Sequence, residues 1–516
     1  VLRKKIGQLL MVGYQGLTPS DEFLRFVEDW QIGGVIVFAR NIEDPEKLPQ
    51  ALKKIQEAAG KNIFTAIDQE GGLVMRILDK GSLFHSNMGL AATGNCKLVK
   101  QSYQAIGDEM RALGLNWNLA PVLDINHPDN PGIGARSFGD TPQVVAKYGS
   151  AAIEGLKNSG VMACAKHFPG KGRARVDSHL TLPVIDIDRK ELLQTELSPF
   201  QAAIDLGIDA IMTAHVFFPA FEEQKDLPAT LSKSVLTDLL RQQMKFEGLI
   251  VTDDLEMGAI TEAYGIADAA GRSFAAGADI LLICHRLEQQ QAAARTIMKL
   301  VEQNSFYQKR LDESVARIEQ KKKMLPQRPD QQLLALQNKH KALIDDTHIQ
   351  SIKVLRFDEE MLKLQKNEEL LILFPEITSL VQVEENQKSD KFEQIILSQF
   401  PAAKILKFNP QRNQHAVKEQ IKNNNLNLKN HKLVFFSYNA HLFTEQKKLA
   451  RELATQSSKA AIIALRNPYD LMNTPEFSTA IATFSFRSPA IKAAMSLLKG
   501  NIKPANKSWP VNIENW

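Results

Sequence analysis

Through the first 285 residues, short apolar runs alternate with longer stretches in which apolar positions recur at helical spacing. The runs are Gln8 to Tyr14, Gly34 to Phe38, Asn62 to Ile67, Asn116 to Leu123, Val161 to Ala165, Ala210 to Thr213, Leu249 to Val251 and Ile280 to Cys284. They are short, largely apolar and rich in β-branched residues, which suits strands of a parallel sheet buried on both faces. A stretch such as Pro45 to Ala59 reads as a helix between two of them. Eight strand–helix units in succession predict an N-terminal (β/α)8 barrel. Ionisable residues stand repeatedly at the ends of the runs: Asp68 and Glu70, Asp124, Lys166 and His167, His215, Asp253 and Asp254, and His285. The carboxyl ends of barrel strands are where such a fold assembles its active site.

From Val301 to Met324 the chain is helical and charged, and Pro326-Gln327-Arg328-Pro329 interrupts it. After a further helical stretch, Leu370 to Phe374, Ala403 to Phe408, Lys432 to Tyr438, Ala460 to Leu465 and Ala480 to Phe486 again read as strands between helices, an open α/β arrangement. The predicted organisation is a catalytic barrel over 1–335, a linker over 336–365 and a smaller α/β domain over 366–516.

A chain of 516 residues is long enough for two or three cores. Its 63 basic and 59 acidic residues leave a net charge of +4, too small and too dispersed to favour nucleic acid. No run approaches the roughly 20 apolar residues that cross a bilayer. The expected partner is therefore a small molecule or oligomer, with no nucleic acid and no membrane span. Three cysteines, Cys96, Cys164 and Cys284, lack metal-ligand spacing, and the last two sit in apolar runs as buried small hydrophobes. Low cysteine use predicts a cytoplasmic protein, an exported form with its signal removed being the alternative.

The chemistry concentrates in the stretch from Lys166 to His179. Asp177 and His179 are two residues apart, so on an extended backbone their side chains leave from the same side, roughly 6.5 Å apart. A carboxylate that holds an imidazole fixes its tautomer and stabilises its cation, as a general acid/base near neutral pH requires. Gly170 and Gly172 allow that loop to move. The run Val251-Thr252-Asp253-Asp254-Leu255-Glu256-Met257 brings paired carboxylates to the same mouth, one of which can be a nucleophile. A carboxylate nucleophile with a second proton-transferring group is the pattern of retaining glycoside cleavage, His179 standing where a second carboxylate is usual.

Several separate motifs resemble the bacterial β-N-acetylglucosaminidases of glycoside hydrolase family 3. They are Ile67-Asp68-Gln69-Glu70-Gly71-Gly72 with Arg76, Ala120-Pro121-Val122-Leu123-Asp124, Gly134-Ala135-Arg136-Ser137-Phe138-Gly139, Lys166-His167-Phe168-Pro169-Gly170, Asp177-Ser178-His179, Met212-Thr213-Ala214-His215 and Thr252-Asp253-Asp254-Leu255. Arg466-Asn467-Pro468-Tyr469-Asp470-Leu471 resembles the family's second domain more loosely. The resemblance implies a retaining exo-hydrolase, needing no cofactor or metal, that removes terminal β-linked N-acetylglucosamine from muropeptides or chitooligosaccharides. By position, Asp253 would be the nucleophile, His179 the acid/base and Asp177 the group that orients and charges it, with Asp254 structural. Asp68, Arg76, Arg136, Lys166 and His167 would hold the sugar hydroxyls.

Many members of that family carry His-Gly-Asp-Thr where this chain has Lys171-Gly172-Arg173-Ala174. Arg173 and Arg175 are expected to be solvated, an acidic aglycone being their alternative partner. Three other readings stay open. A histidine acid/base repels phosphate less than a carboxylate would, so phosphorolysis could compete with hydrolysis. A barrel metallohydrolase would use His167, Asp177, His179 and His215 as ligands. A noncatalytic sugar-binding barrel would be expected to have lost Asp253 or His179, and both are present.

Overall fold

The computed structural model describes the chain except for residues 79, 177, 179–180, 330, 362–368, 378–383, 385–389, 412–413, 504–507 and 514–516. Eight strands form the first sheet: β1 (Leu10–Val12), β2 (Gly34–Val37), β3 (Phe64–Ile67), β4 (Trp117–Asn118), β5 (Met162–Phe168), β6 (Ala210–Thr213), β7 (Leu249–Val251) and β8 (Leu281–Ile283). Every residue of these strands is buried, because one face fills the barrel and the other lies under helices. All pair in parallel in the order β8-β1-β2-β3-β4-β5-β6-β7. An isolated bridge from Val251 to Ile280 closes the ring.

Two departures from the sequence reading bear on the site. The fourth strand is shorter than its apolar run, since Pro121 has no N–H to give a ladder. The fifth is longer: it continues through Lys166 and His167 to Phe168, with Lys166 N bonded to Pro121 O and Leu123 N to Lys166 O. Lys166 and His167 therefore lie on the strand rather than after it.

At the β7–β8 seam side-chain bonds add to backbone ones, in which Asp279 N and Ile280 N donate to Ile250 O and Thr252 N donates to Ile280 O. The Thr252 hydroxyl accepts from Leu282 N at 2.9 Å, and the fully buried Asp279 accepts from Ile250 N at 3.1 Å. Asp279 also gathers Arg241 (2.8 Å), Arg310 (3.3 Å), Arg317 (3.1 Å) and the Ser314 hydroxyl (2.6 Å). Arg310, Ser314 and Arg317 share one face of the helix Ser305–Lys323 through their three- and four-residue spacing. Burial alone would raise the Asp279 carboxyl, but the three guanidinium groups outweigh it and hold it ionised.

The second sheet comprises β9 (Lys353–Arg356), β10 (Glu369–Pro375), β11 (Lys404–Phe408), β12 (His431–Ser437), β13 (Lys459–Ala464) and β14 (Thr479–Ala482), ordered β9-β14-β13-β12-β10-β11. Only β9 is antiparallel. The segment expected as a linker thus carries part of the helix Leu333–Ser351 and then the sheet's edge strand. The Lys353 and Arg356 charges disguise β9 in the sequence, although the Lys353 side chain is buried in the fold. The core of this domain runs on into the barrel through Leu73, Val74, Met88, Ala92 and Ala135.

Candidate active site

Beyond β3 the chain turns through a short hairpin, Gln69–Gly71 against Val74–Met75. Asn118 fixes it, accepting from Gln69 N at 3.1 Å and donating to Gln69 O at 2.9 Å. Asp68 and Glu70, two residues apart, consequently meet one cation. Lys166 Nζ lies 2.7 Å from Asp68 Oδ1 and 2.7 Å from Glu70 Oε1. Arg76 approaches Asp68 Oδ2 at 3.3 Å, and the Arg136 guanidinium forks onto both Glu70 oxygens. Burial pushes the Asp68 carboxyl upward, but Lys166 and Arg76 outweigh it and bring it down to about 2. Against the same burial, Asp68 and Glu70 hold Lys166 above the usual lysine range. These ionised groups are neutralised by one another, which is what makes their burial tolerable.

A second cluster forms around Asp124. One oxygen accepts from Lys171 N at 2.7 Å, and the other pairs with His167 Nδ1 at 2.7 Å. Burial dominates here and raises the Asp124 carboxyl to about 6, despite the Lys171 charge. The loop after β5 lies tight against the barrel at Gly172, where a Cβ would stand 1.7 Å from Ile125 O. Lys171 Nζ reaches to 3.9 Å from Asp253 Oδ2, and Asp253 Oδ1 accepts from Asp254 N at 2.9 Å. Asp254 turns the other way: it accepts from Glu256 N and Cys284 N and pairs with His285 Nε2 at 3.2 Å. Both ring nitrogens of His215 are engaged, with Thr230 Oγ1 at 2.8 Å and Asp254 O at 2.9 Å. That leaves His215 no nitrogen for a metal in this arrangement, and the described residues contain no group of three or more His, Cys, Asp or Glu side chains suited to a metal ion.

A cavity of about 610 Å³ opens at the carboxyl end of the barrel, with Phe38, Asp68, Arg76, Asp253, Met257 and His285 in its wall. Its size falls in the range of small-molecule sites. Phe38 and His285 form a tilted ring pair at 5.4 Å, and the Arg76 guanidinium lies 5.5 Å from the Phe38 ring centre.

Residues 1–320 match the family model described as the glycosyl hydrolase family 3 N terminal domain. The chain belongs to glycoside hydrolase family 3. A curated relative, beta-hexosaminidase A of Pseudoalteromonas piscicida, is 36% identical over 340 residues, covering 60% of this chain and 56% of the relative. The chain thus spans little more than half the length of that protein. The beta-hexosaminidase of Thiobacillus denitrificans is 34% identical over 285 residues, 54% of this chain and 79% of its own. A solved family 3 beta-N-acetylglucosaminidase from Paenibacillus sp. str. FPU-7 superposes with a TM-score of 0.91 at 34% identity, over 99% of both chains.

In this family 3 chain, Asp68, Arg76 and Asp253 reach the cavity wall. Arg136, Lys166 and His167 are buried beside it and outside the cavity lining, in contact with Glu70, Asp68 and Asp124. Asp177 and His179 lie outside the described residues. Ser178, between them in sequence, is buried, and its carbonyl accepts from Ala259 N at 3.2 Å, on the segment that follows Asp253. The sequence reading put Glu70 and Asp124 at the active-site end of the barrel without a specific role, and gave Lys171 none. The Asp-x-Glu spacing after β3 and the strand-terminal position of Asp124 are the signals that pointed to the first two. Arg173 stays partly exposed but is also paired, bonding Glu196 at 2.8 Å and Glu191 at 2.7 Å. The buried Glu196 needs a cation, and Arg173 supplies it. Arg175 is largely exposed, 3.9 Å from Asp129.

Proposed function

We propose that this chain is a retaining exo-β-N-acetylglucosaminidase that removes terminal non-reducing N-acetylglucosamine from muropeptides or chitooligosaccharides. The observation that carries the reading is the Asp253 carboxylate, held by a backbone N–H at the end of β7 and opening into the cavity that Asp68 and Arg76 also line. The names of the relatives at 34–36% identity supply the sugar.

In this mechanism Asp253 attacks the anomeric carbon as the glycosidic C–O bond breaks, while His179 passes its proton to the departing oxygen. His179 then takes a proton from water, whose oxygen displaces Asp253 from the same carbon, and configuration is retained. Asp177 holds the imidazole and stabilises its cation. Lys171, 3.9 Å away, favours the ionised nucleophile before attack. Asp68 accepts from sugar hydroxyls and Arg76 donates to them, and Lys166, His167 and Arg136 complete the binding set from behind.

Product analysis on an aryl β-N-acetylglucosaminide and the matching β-glucoside, with and without phosphate, tests this reading. Free N-acetylglucosamine of β configuration at early times, in both buffers, is expected. A preference for the glucoside, an α product, or a sugar phosphate would reject it.

A further inference from the structure

Two barrel loops carry the arginines assigned to the sugar, and each is tied to the second domain by a buried arginine of that domain. We propose that Arg466 and Arg487 are positioning residues that set the Arg136 loop and the Arg76 hairpin, so that the second domain is part of the machinery of sugar binding. This inference rests on the sugar-site assignment above.

Arg466 is fully buried. Its NH2 lies 2.6 Å from Glu384 Oε1 and donates to Pro131 O at 3.1 Å, and its NH1 donates to Asn439 Oδ1 at 3.2 Å. Asn467 beside it donates to the same Asn439 oxygen at 2.8 Å. The two side chains press directly on the backbone of Gly134. Its φ is +49°, and a Cβ there would stand 2.5 Å from Asn467 Oδ1 and 3.1 Å from Arg466 NH1. Gly134 opens the one-turn 3-10 segment that ends at Arg136. Arg136 NH1 returns to Gly132 O at 3.1 Å, so the guanidinium is braced by the loop that Arg466 holds.

The same loop reaches the segment that leads to Asp177 and His179. Asn130, next to Pro131, accepts from Gly132 N and Ile133 N and donates to Lys171 O at 2.9 Å and Gly172 O at 3.0 Å. A shift at Pro131 is therefore passed in two directions, to Arg136 and to Lys171. On the other side Arg487, also fully buried, donates to Gly72 O at 2.7 Å and Leu73 O at 3.3 Å, the turn of the hairpin between Glu70 and Arg76. Ser86 adds a bond to Phe484 O at 2.6 Å. A guanidinium suits the task because its planar fork engages several oxygens in fixed directions.

The test is a double-mutant cycle in the full chain. Arg466→Lys keeps the charge opposite Glu384 and loses the fork. It is expected to lower kcat/KM on an aryl β-N-acetylglucosaminide about tenfold, mainly through KM, the worth of one charge-assisted hydrogen bond. In an Arg136→Ala background the same change should cost less than about twofold, since its effect passes through Arg136. Equal losses in the two backgrounds would overturn the proposal, because a general loss of packing is indifferent to Arg136. Hydrogen exchange of peptides from 126–139 gives a readout independent of turnover. It should quicken in Arg466→Lys while β1–β3 stay unchanged, and unaltered exchange at 126–139 would also overturn it. If Arg466→Lys does not fold, Asn467→Ala takes its place in both measurements with the same expectations. An unmutated enzyme inactive on the N-acetylglucosaminide rejects the proposed function, and the exchange data then decide the clamp alone.

Discussion

Arg136 and Glu70 meet as a two-bonded fork, Nε to Oε2 at 2.9 Å and NH2 to Oε1 at 2.8 Å, with both side chains almost completely buried. A lysine in place of Arg136 could supply the charge but not the paired geometry. Arg136→Ala is expected to reduce kcat/KM on an N-acetylglucosaminide by about 1.5 to 3 kcal/mol, roughly ten- to 150-fold. Arg136→Lys should recover little of it. An unchanged kcat/KM in Arg136→Ala would remove that loop from the binding set.

Asp253→Ala should be nearly inactive while folding normally, since Asp253 faces the cavity and Asp254 carries the structural bonds. A slow fluorinated N-acetylglucosaminide should leave its label on the peptide containing Asp253. Mass spectrometry that finds the label on Asp254, or none at all, would refute the nucleophile assignment.

Replacing His179 by Ala should slow glycosides with poor leaving groups about 10²- to 10⁴-fold, the usual contribution of a positioned proton donor. Activated aryl glycosides should lose much less, because their leaving group departs without a proton. Asp177→Asn keeps a hydrogen-bond acceptor but removes the charge that stabilises the imidazolium. The alkaline limb of its pH profile should move to lower pH. Equal losses for both classes of substrate in His179→Ala would assign the proton to another residue.

Most of the barrel was legible because a parallel strand buried on both faces leaves a mainly apolar run, and all eight runs became strands. The limits of that signal lie where polar residues enter a strand. Lys166 and His167 ended the predicted fifth strand, yet they lie within it because Asp68, Glu70 and Asp124 wait opposite to neutralise and bond them. The same holds for β9, which begins with a lysine. In the site, local motifs pointed to single residues but not to their partners. The Glu70–Arg136 fork spans 66 positions, and no local spacing reports it. The pairing of Arg173 was hidden for that reason too: its partner Glu196 is 23 residues away.

His85 and His348 stack at 4.2 Å with their planes 13° apart, both buried, where the helix Leu333–Ser351 packs on the loop that follows the hairpin. Burial lowers both, His348 to about 4 and His85 well below the ordinary histidine value of 6.5. Below 6.5 the unfolded chain takes up these protons before the folded one does. Stability therefore falls as pH drops from 6.5 towards 4. The buried Asp124, raised to about 6, works in the opposite sense over part of that range and offsets one ring. Thermal melts between pH 4 and 7 should show His348→Phe losing less stability on acidification than the unmutated protein. Parallel curves would mean that the pair does not titrate on unfolding.

Asp279, gathered by its arginines, joins the backbone bonds at the seam between β7 and β8, and β7 is the strand that delivers Asp253. Chemistry and closure thus share one joint. Breaking the arginine cluster would free Asp279 from Ile250 N and loosen β7 three residues before Asp253, swinging the nucleophile out of line. Such an enzyme would fall silent before it melts, its activity marking the failure of a hinge that far-ultraviolet dichroism does not yet see.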